Sequence, residues 1–189
     1  MIDQNSFATL ISHGDGEPGV SHTPILLDRK KEVLQGHLSK GNPHHKRLVE
    51  AKKVWAIFHG PHHYISPNFY NNHPSVPTWN YAVVHISGIP SVISDRDAVV
   101  KFLGDLVEIN ESQRETPWEF DLPPAYLDKM LESVVCFKIA IKEIRAKFKL
   151  SQNRPKDDLP SIIEHLEKLE KNDGIEVAKL MINNVLRKK

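Results

Sequence analysis

Residues 81–93, Tyr81-Ala82-Val83-Val84-His85-Ile86-Ser87-Gly88-Ile89-Pro90-Ser91-Val92-Ile93, set the fold class. Apolar and polar positions alternate through much of this stretch, and Val and Ile dominate it. That is the period of a half-buried strand. Residues 134–144 repeat the pattern, with Phe137, Ile139 and Ile141 on one face and Lys138, Ala140 and Lys142 on the other. Working outward, residues 7–12, 20–27, 32–39 and 54–58 are shorter strand-like runs. His13-Gly14-Asp15-Gly16 and Asp28-Arg29-Lys30-Lys31 read as turns, and Gly60-Pro61 closes the run that begins at Val54. Strands with no βαβ rhythm predict a mainly-β, α+β chain whose antiparallel sheet closes into a barrel.

Helices punctuate this sheet. Asn42 followed by Pro43 predicts a helix reaching about Lys53. Asp95 is the expected cap of a helix that buries Val99, Phe102, Leu103, Leu106 and Val107. Pro123-Pro124 predicts a short helix with Leu127, Met130 and Leu131 inward. Ser161 and Glu164 match a capping box ahead of Ile162, Leu166 and Leu169. Asn172-Asp173-Gly174 is expected to break that helix, and Val177, Leu180, Met181 and Val185 to begin another. The expected organisation is a barrel domain over residues 1–156 with a helical hairpin over 157–189 packed on it.

The 189-residue chain is 40% hydrophobic, enough for one real core and a small appendage. Lys+Arg number 25 against 24 Asp+Glu, so the whole chain lacks the electrostatic footprint of a nucleic-acid binder. No apolar run approaches a membrane span, and no basic and apolar export signal follows Met1. The single cysteine, Cys136, excludes an internal disulfide and a cysteine-rich zinc site. Within Val134-Val135-Cys136-Phe137 it reads as a small buried hydrophobe. The cytoplasm is the expected address.

Three constellations carry chemistry. Val76-Pro77-Thr78-Trp79-Asn80-Tyr81 and His59-Gly60-Pro61-His62-His63-Tyr64-Ile65-Ser66-Pro67 concentrate rings and hydrogen-bonding groups. They suit a surface for a flat, polar-edged ligand, and equally a pair of structured loops with satisfied histidines. Ten of the eleven histidines precede residue 86, which brings metal or haem ligation to mind. Without a carboxylate cluster or a helical His-x-x-x-His pair, no metal site is expected. Second, residues 37–46, from His37 through Ser39, Lys40, Gly41 and Asn42 to Lys46, run from a strand into a helix start. That arrangement suits a phosphate cradle, or an ordinary capped helix with solvated lysines. Third, residues 138–156 hold seven basic residues and one acidic residue, Glu143. This stretch suits a phosphate, a flavin edge or nucleic acid, or is a solvated strand end. The chain carries no Gly-x-Ser-x-Gly elbow, Walker loop, Rossmann fingerprint or catalytic carboxylate pair, and so gives no positive evidence for a hydrolase or kinase.

Taken in order, His22-Thr23-Pro24-Ile25-Leu26-Leu27-Asp28, Gly36-His37-Leu38 and residues 59–70, 76–81 and 147–154 resemble the PaiB family. These are FMN-binding negative transcriptional regulators of bacteria. The resemblance runs from about Phe7 to the C-terminal helices, nearly the whole chain. It implies a split β-barrel of the pyridoxamine phosphate oxidase type, a homodimer, and FMN held in clefts between the subunits. By that resemblance His22, Thr23 and Pro24 face the flavin, with a histidine where the oxidases often have an arginine. His37, Ser39, Asn42 and Lys46 fall on the strand and helix start that carry the phosphate. Thr78, Trp79 and Asn80 lie near the ring system, and Lys149, Ser151, Gln152 and Arg154 complete the site, from this subunit or its partner. Family members generally carry a longer opening segment than the six residues before Phe7, so ligand contacts from that segment are not expected.

Two functions follow from the resemblance. One is a flavin-binding negative transcriptional regulator or flavin-dependent sensor. DNA contact then rests on the terminal helices, whose clearest basic cluster is Arg187-Lys188-Lys189. The other is an FMN-dependent oxidoreductase or a haem-handling enzyme, with His59, His62 and His63 as the haem-facing candidates.

Overall fold

A computed structural model describes residues 1–13 and 17–186. The expected turn at Gly14-Asp15-Gly16 and the cluster Arg187-Lys188-Lys189 lie outside the described residues. Six strands form: β1 (Phe7–Ser12), β2 (Gly19–Asp28), β3 (Val33–Ser39), β4 (Val54–Ile65), β5 (Thr78–Val92) and β6 (Val134–Lys149). They close into an antiparallel barrel in the order β1-β2-β3-β6-β5-β4. Five α-helices accompany them: α1 (His44–Glu50), α2 (Arg96–Glu111), α3 (Pro124–Leu131), α4 (Asp158–Lys168) and α5 (Asn172–Met181). The expected barrel is therefore what forms.

The chain divides into two compact units. The first comprises Met1–Phe58 and His85–Ile144; the second comprises His59–Val84 and Arg145–Lys189. In the first, Leu10, Ile25, Leu34, Phe58, Ile86, Phe137 and Ile139 are fully buried. Gly36 pairs with Phe137 across β3 and β6. A Cβ on Gly36 would lie 2.6 Å from Phe137 Cζ, so only glycine leaves room for the ring. A satellite cluster of Phe102, Leu106 and Cys136 lies beneath α2, ringed by Leu26, Ile93, Val99, Leu103 and Val134. Asp95 caps α2 as expected, its Oδ1 accepting from Ala98 N at 2.8 Å. In the second unit α4 and α5 pack together around Ile162, Leu166, Val177 and Met181, each fully buried in a cluster that also holds Ile65, Tyr70 and Leu150.

Several boundaries differ from the sequence expectation. β4 does not close at Gly60-Pro61; it continues to Ile65. Its buried positions are even-numbered from Val54 to Gly60, but the next buried residue is Ile65. That change of parity is what an extra residue in a strand produces, and such a site tolerates proline. β5 begins earlier than expected, so Thr78, Trp79 and Asn80 belong to the strand. α1 stops at Glu50, short of Lys53. α4 starts at Asp158, not at Ser161, because Pro160 sits in the first turn, where a missing N–H costs nothing. α4 ends where Glu170 adopts φ 52°, and Asn172-Asp173-Gly174 opens α5 rather than breaking α4. α3 forms as expected, but it buries no residue, and Met130, expected inward, is 37% exposed.

Candidate functional site

In the first unit, β2 alternates between a buried and an exposed face at its start. His22 therefore points outward, its Nδ1 3.1 Å from Thr9 Oγ1 and its ring stacked on Phe7 at 6.4 Å. Thr23 points inward and donates to His37 O at 2.7 Å. Pro24 lies opposite Phe7 in the β1–β2 register. The His37 ring meets Phe102 edge-on at 6.3 Å. Its Nδ1 is buried without a partner, and burial pushes the imidazole below its ordinary pKa. The β3–α1 turn is held by its own side chains. Ser39 Oγ accepts from Gly41 N at 3.2 Å, and Asn42 Oδ1 accepts from His44 N at 3.0 Å. The next amides, of His45 and Lys46, donate to backbone carbonyls at 3.2 Å. The amides of a phosphate cradle are thus already occupied, which leaves the exposed Ser39 hydroxyl and the exposed Lys46 ammonium as anion-facing groups.

His44, which sequence reasoning left inside that cradle without a role of its own, holds the turn in place. It is 3% exposed, with Nε2 2.8 Å from Ser12 Oγ and Nδ1 2.8 Å from Ser21 Oγ. Asn42 Nδ2 also donates to Ser21 Oγ at 3.0 Å. Burial, and then the charge of Arg47, push the His44 pKa down. A Cβ on Gly19 would fall 2.5 Å from the His44 ring, so glycine there is what seats it. The doublet His44-His45 after a proline gave no sign of which imidazole is buried.

In the second unit the alternation of β5 turns Trp79 outward and Asn80 inward. Trp79 is 52% exposed and Tyr64, on β4, 42%. Their centroids are 5.9 Å apart at 70°, and His62 lies 6.2 Å from Trp79 at 35°. A groove of about 320 Å³ runs along this face, lined by His59, His62, Trp79, Tyr81 and Val83. The sequence places His62, Tyr64 and Tyr81 in the ring-rich stretches, and His62 among the haem-facing candidates, but it does not assign them to the flavin site, because the extension of β4 to Ile65 is what sets His62 and Tyr64 beside Trp79. The exposed positions His62 and Tyr64, two residues apart, carried the signal.

The other expected residues of this unit are engaged with one another. Lys149 Nζ donates to Thr78 Oγ1. Asn80 and Ser151, 0% and 3% exposed, pair through Nδ2 to Oγ at 3.0 Å and Oγ to Oδ1 at 3.1 Å. Gln152 closes its own turn, accepting from Leu150 N at 2.7 Å and donating to Phe148 O at 2.5 Å. Arg154 is held by Asp158, with Nε to Oδ2 at 2.8 Å and Nη2 to Oδ2 at 2.6 Å. It also stacks over Tyr70 at 4.1 Å. Among the described residues, no group of three or more His, Cys, Asp or Glu is placed to hold a metal ion. The half-exposed ring face suits stacking on a planar ligand, and Lys147, exposed on β6, adds positive charge in the same unit.

The barrel is that of the split-barrel class. Residues 1–143 match the family model described as "Putative FMN-binding domain". The chain is 35% identical over 184 residues to "Protease synthase and sporulation protein PAI 2" of Bacillus subtilis, covering 96% of this chain and 88% of that protein. A protein of Emericella nidulans is 30% identical over 204 residues, covering 87% of this chain and 80% of its own length. The chain belongs to this FMN-binding family, the PaiB family. Among solved structures, the FAD and heme binding protein from Mycobacterium smegmatis matches in fold with a TM-score of 0.62 at 18% identity, covering 85% of this chain and 74% of that one. The flavocytochrome Anf3 from Azotobacter vinelandii matches in fold with a TM-score of 0.59 at 15% identity, covering 78% and 64%. Among the described residues, no helix is long and apolar enough to cross a membrane.

Proposed function

We propose that this protein is an FMN-dependent regulator of gene expression, a homodimer that senses flavin and restrains transcription. The observation that carries the flavin half is the exposed ring face of Tyr64, Trp79 and His62, built on β4 and β5 of an FMN-binding-family barrel. A half-exposed indole between an imidazole and a phenol offers a planar face that suits an isoalloxazine ring. Bound FMN supplies redox chemistry and a planar ring with a charged tail. The chain's own residues position it: Trp79 and Tyr64 stack, His62 borders the ring edge, and Lys147 answers the phosphate. Ser39 and Lys46, with His22, Thr23, Pro24, His37 and Asn42, are a second proposed contact set, tested on its own. The regulatory half is supported by the Bacillus subtilis relative, whose name ties it to protease synthesis and sporulation.

An FMN titration followed by flavin fluorescence tests the reading. Micromolar quenching that Trp79→Ala weakens by about tenfold or more, with the melting temperature unchanged, is the expected result. Unchanged affinity with a collapsed melting temperature would make Trp79 a packing residue and overturn the site. Replacing Lys46 by Gln reads out the second contact set. Rapid NADPH reduction of the bound flavin would replace the regulator with an oxidoreductase. A Soret band on adding haem, lost in His59→Ala or His62→Ala, would replace it with a haem-handling protein.

A further inference from the structure

α3 carries an apolar face that the fold leaves unfilled. Its sequence places Leu127, Met130 and Leu131 at helical spacing, yet the helix buries no residue. At the end of this helix Leu131, but not Leu127 or Met130, lines a cavity of about 480 Å³, the size of a small-molecule site. Val99 of α2, Leu131 of α3, and Val134 and Cys136 of β6 supply apolar wall. Burial pushes the Cys136 thiol up to about 11, so it stays protonated and behaves as part of that wall.

The rim is polar and asymmetrically satisfied. Arg96 and Asp128 neutralise each other across the α2–α3 edge, Nη2 to Oδ1 at 2.5 Å. Lys40 and Glu132 also line the cavity, and both are exposed. Among the described residues neither side chain has a hydrogen-bond or ion partner. Their segments are nevertheless tied together, since Lys40 N donates to Ser133 O at 2.8 Å. The cavity thus presents an apolar floor with one solvated cation and one solvated anion at its mouth, neither engaged by another described side chain.

We propose that this cavity binds a small zwitterion with an apolar body, an aromatic or branched α-amino acid. Its carboxylate meets Lys40, its ammonium meets Glu132, and its side chain fills the space under α3. An apolar acid would engage Lys40 alone, and an apolar amine Glu132 alone. Complementarity of both charges together with the floor selects the amino acid over either. The site lies wholly in the first unit and is independent of the flavin reading.

Calorimetric titration of the full-length protein with L-phenylalanine, L-leucine, 3-phenylpropionate and 2-phenylethylamine tests the proposal. At least one of the two amino acids is expected to saturate, with the acid-only and amine-only probes weaker by about tenfold or more. Lys40→Gln and Glu132→Gln are each expected to weaken that amino acid by about three- to tenfold without moving the melting temperature. Three results would overturn it: no saturation by either amino acid at about 10 mM, equal binding of all the probes, or wild-type affinity in both variants.

Discussion

Two arginine–aspartate pairs with nearly the same geometry do different things in this molecule. Arg154 and Asp158 approach to 2.6 Å with side chains 23% and 0% exposed. Arg96 and Asp128 approach to 2.5 Å with side chains 54% and 58% exposed. Around the buried pair both carboxylate oxygens of Asp158 and two of the three guanidinium nitrogens of Arg154 have partners. Asp158 Oδ1 accepts from Asn71 N at 2.8 Å, Asn72 N at 2.9 Å and Asn72 Nδ2 at 2.9 Å. Arg154 Nη2 donates to Ser75 Oγ at 2.8 Å and Asn72 O at 3.1 Å. The exposed pair has water as its alternative partner. Distance alone therefore says little about an ion pair: the solvent it excludes and the hydrogen bonds that replace that solvent decide its contribution. Asp158 also begins α4, where a carboxylate suits the helix dipole, so the buried pair anchors the start of the helical hairpin.

The largest effect expected from breaking this contrast is on Asp158→Ala. It leaves the Arg154 guanidinium largely buried without its carboxylate, and frees the amides of Asn71 and Asn72. Chemical denaturation is expected to show a loss of about 3–5 kcal/mol. A loss no greater than that of an ordinary surface substitution would make the buried cluster incidental. The same group predicts a pH dependence. Burial alone would raise the Asp158 carboxyl, but hydrogen bonds from Asn72, Arg154 and Asn71 outweigh burial and hold it at about 2, below its ordinary 3.8. A depressed folded-state value contributes stability that is present in full above the ordinary carboxylate range. That stability is lost as the pH falls from about 4 through 2. Denaturation midpoints in that window should fall more steeply for the wild type than for Asp158→Asn.

Helices α4 and α3 extend the comparison. Leu166 of α4 is fully buried, whereas Leu131 of α3 is only half-buried. Leu166→Ala is expected to cost about 2–5 kcal/mol and Leu131→Ala about 1 kcal/mol or less, read from the same denaturation experiment. Comparable losses would mean that α3 is packed as tightly as α4, and would close the cavity proposed beneath it.

The strands were the legible part of this chain, because burial on one face writes a period of two into the sequence: residues 137–142 could be assigned face by face. What stayed illegible depended on exceptions that local rules allow. Gly60-Pro61 is a strong turn signal, yet β4 absorbs it by shifting its buried positions from even to odd, so the common strand face of His62 and Tyr64 was not legible. Ser161 looked like a cap because Glu164 follows it at capping-box spacing, yet proline is tolerated within a helix's first turn, and α4 begins at Asp158. The candidate site was legible only in part. Trp79 was named for the ring-rich stretch that holds it and for the family resemblance. Arg154 was named for the basic run of residues 138–156 and for the family resemblance, and only its Asp158 partner, four residues on, reveals how it is held. His44 showed nothing in sequence, since its burial is set by Ser12, Ser21 and the missing side chain of Gly19, all distant along the chain.

The smallest expected effect belongs to the exposed pair. Arg96→Ala removes a contact of 2.5 Å, shorter than the 2.6 Å of the buried one. If separation governed stability, this variant would be the more damaged of the two. Asp128, however, is left on the surface, where water hydrates its carboxylate as readily as Arg96 did. Asp95 remains as the cap of α2, so the helix start is kept. The melting temperature of Arg96→Ala should match that of the wild type at physiological ionic strength and at high salt. A drop that high salt abolishes would show that the pair holds α3 over its cavity after all. In that case the exposed bridge, and not the half-filled apolar face alone, would set how far the helix stands from the body of its unit.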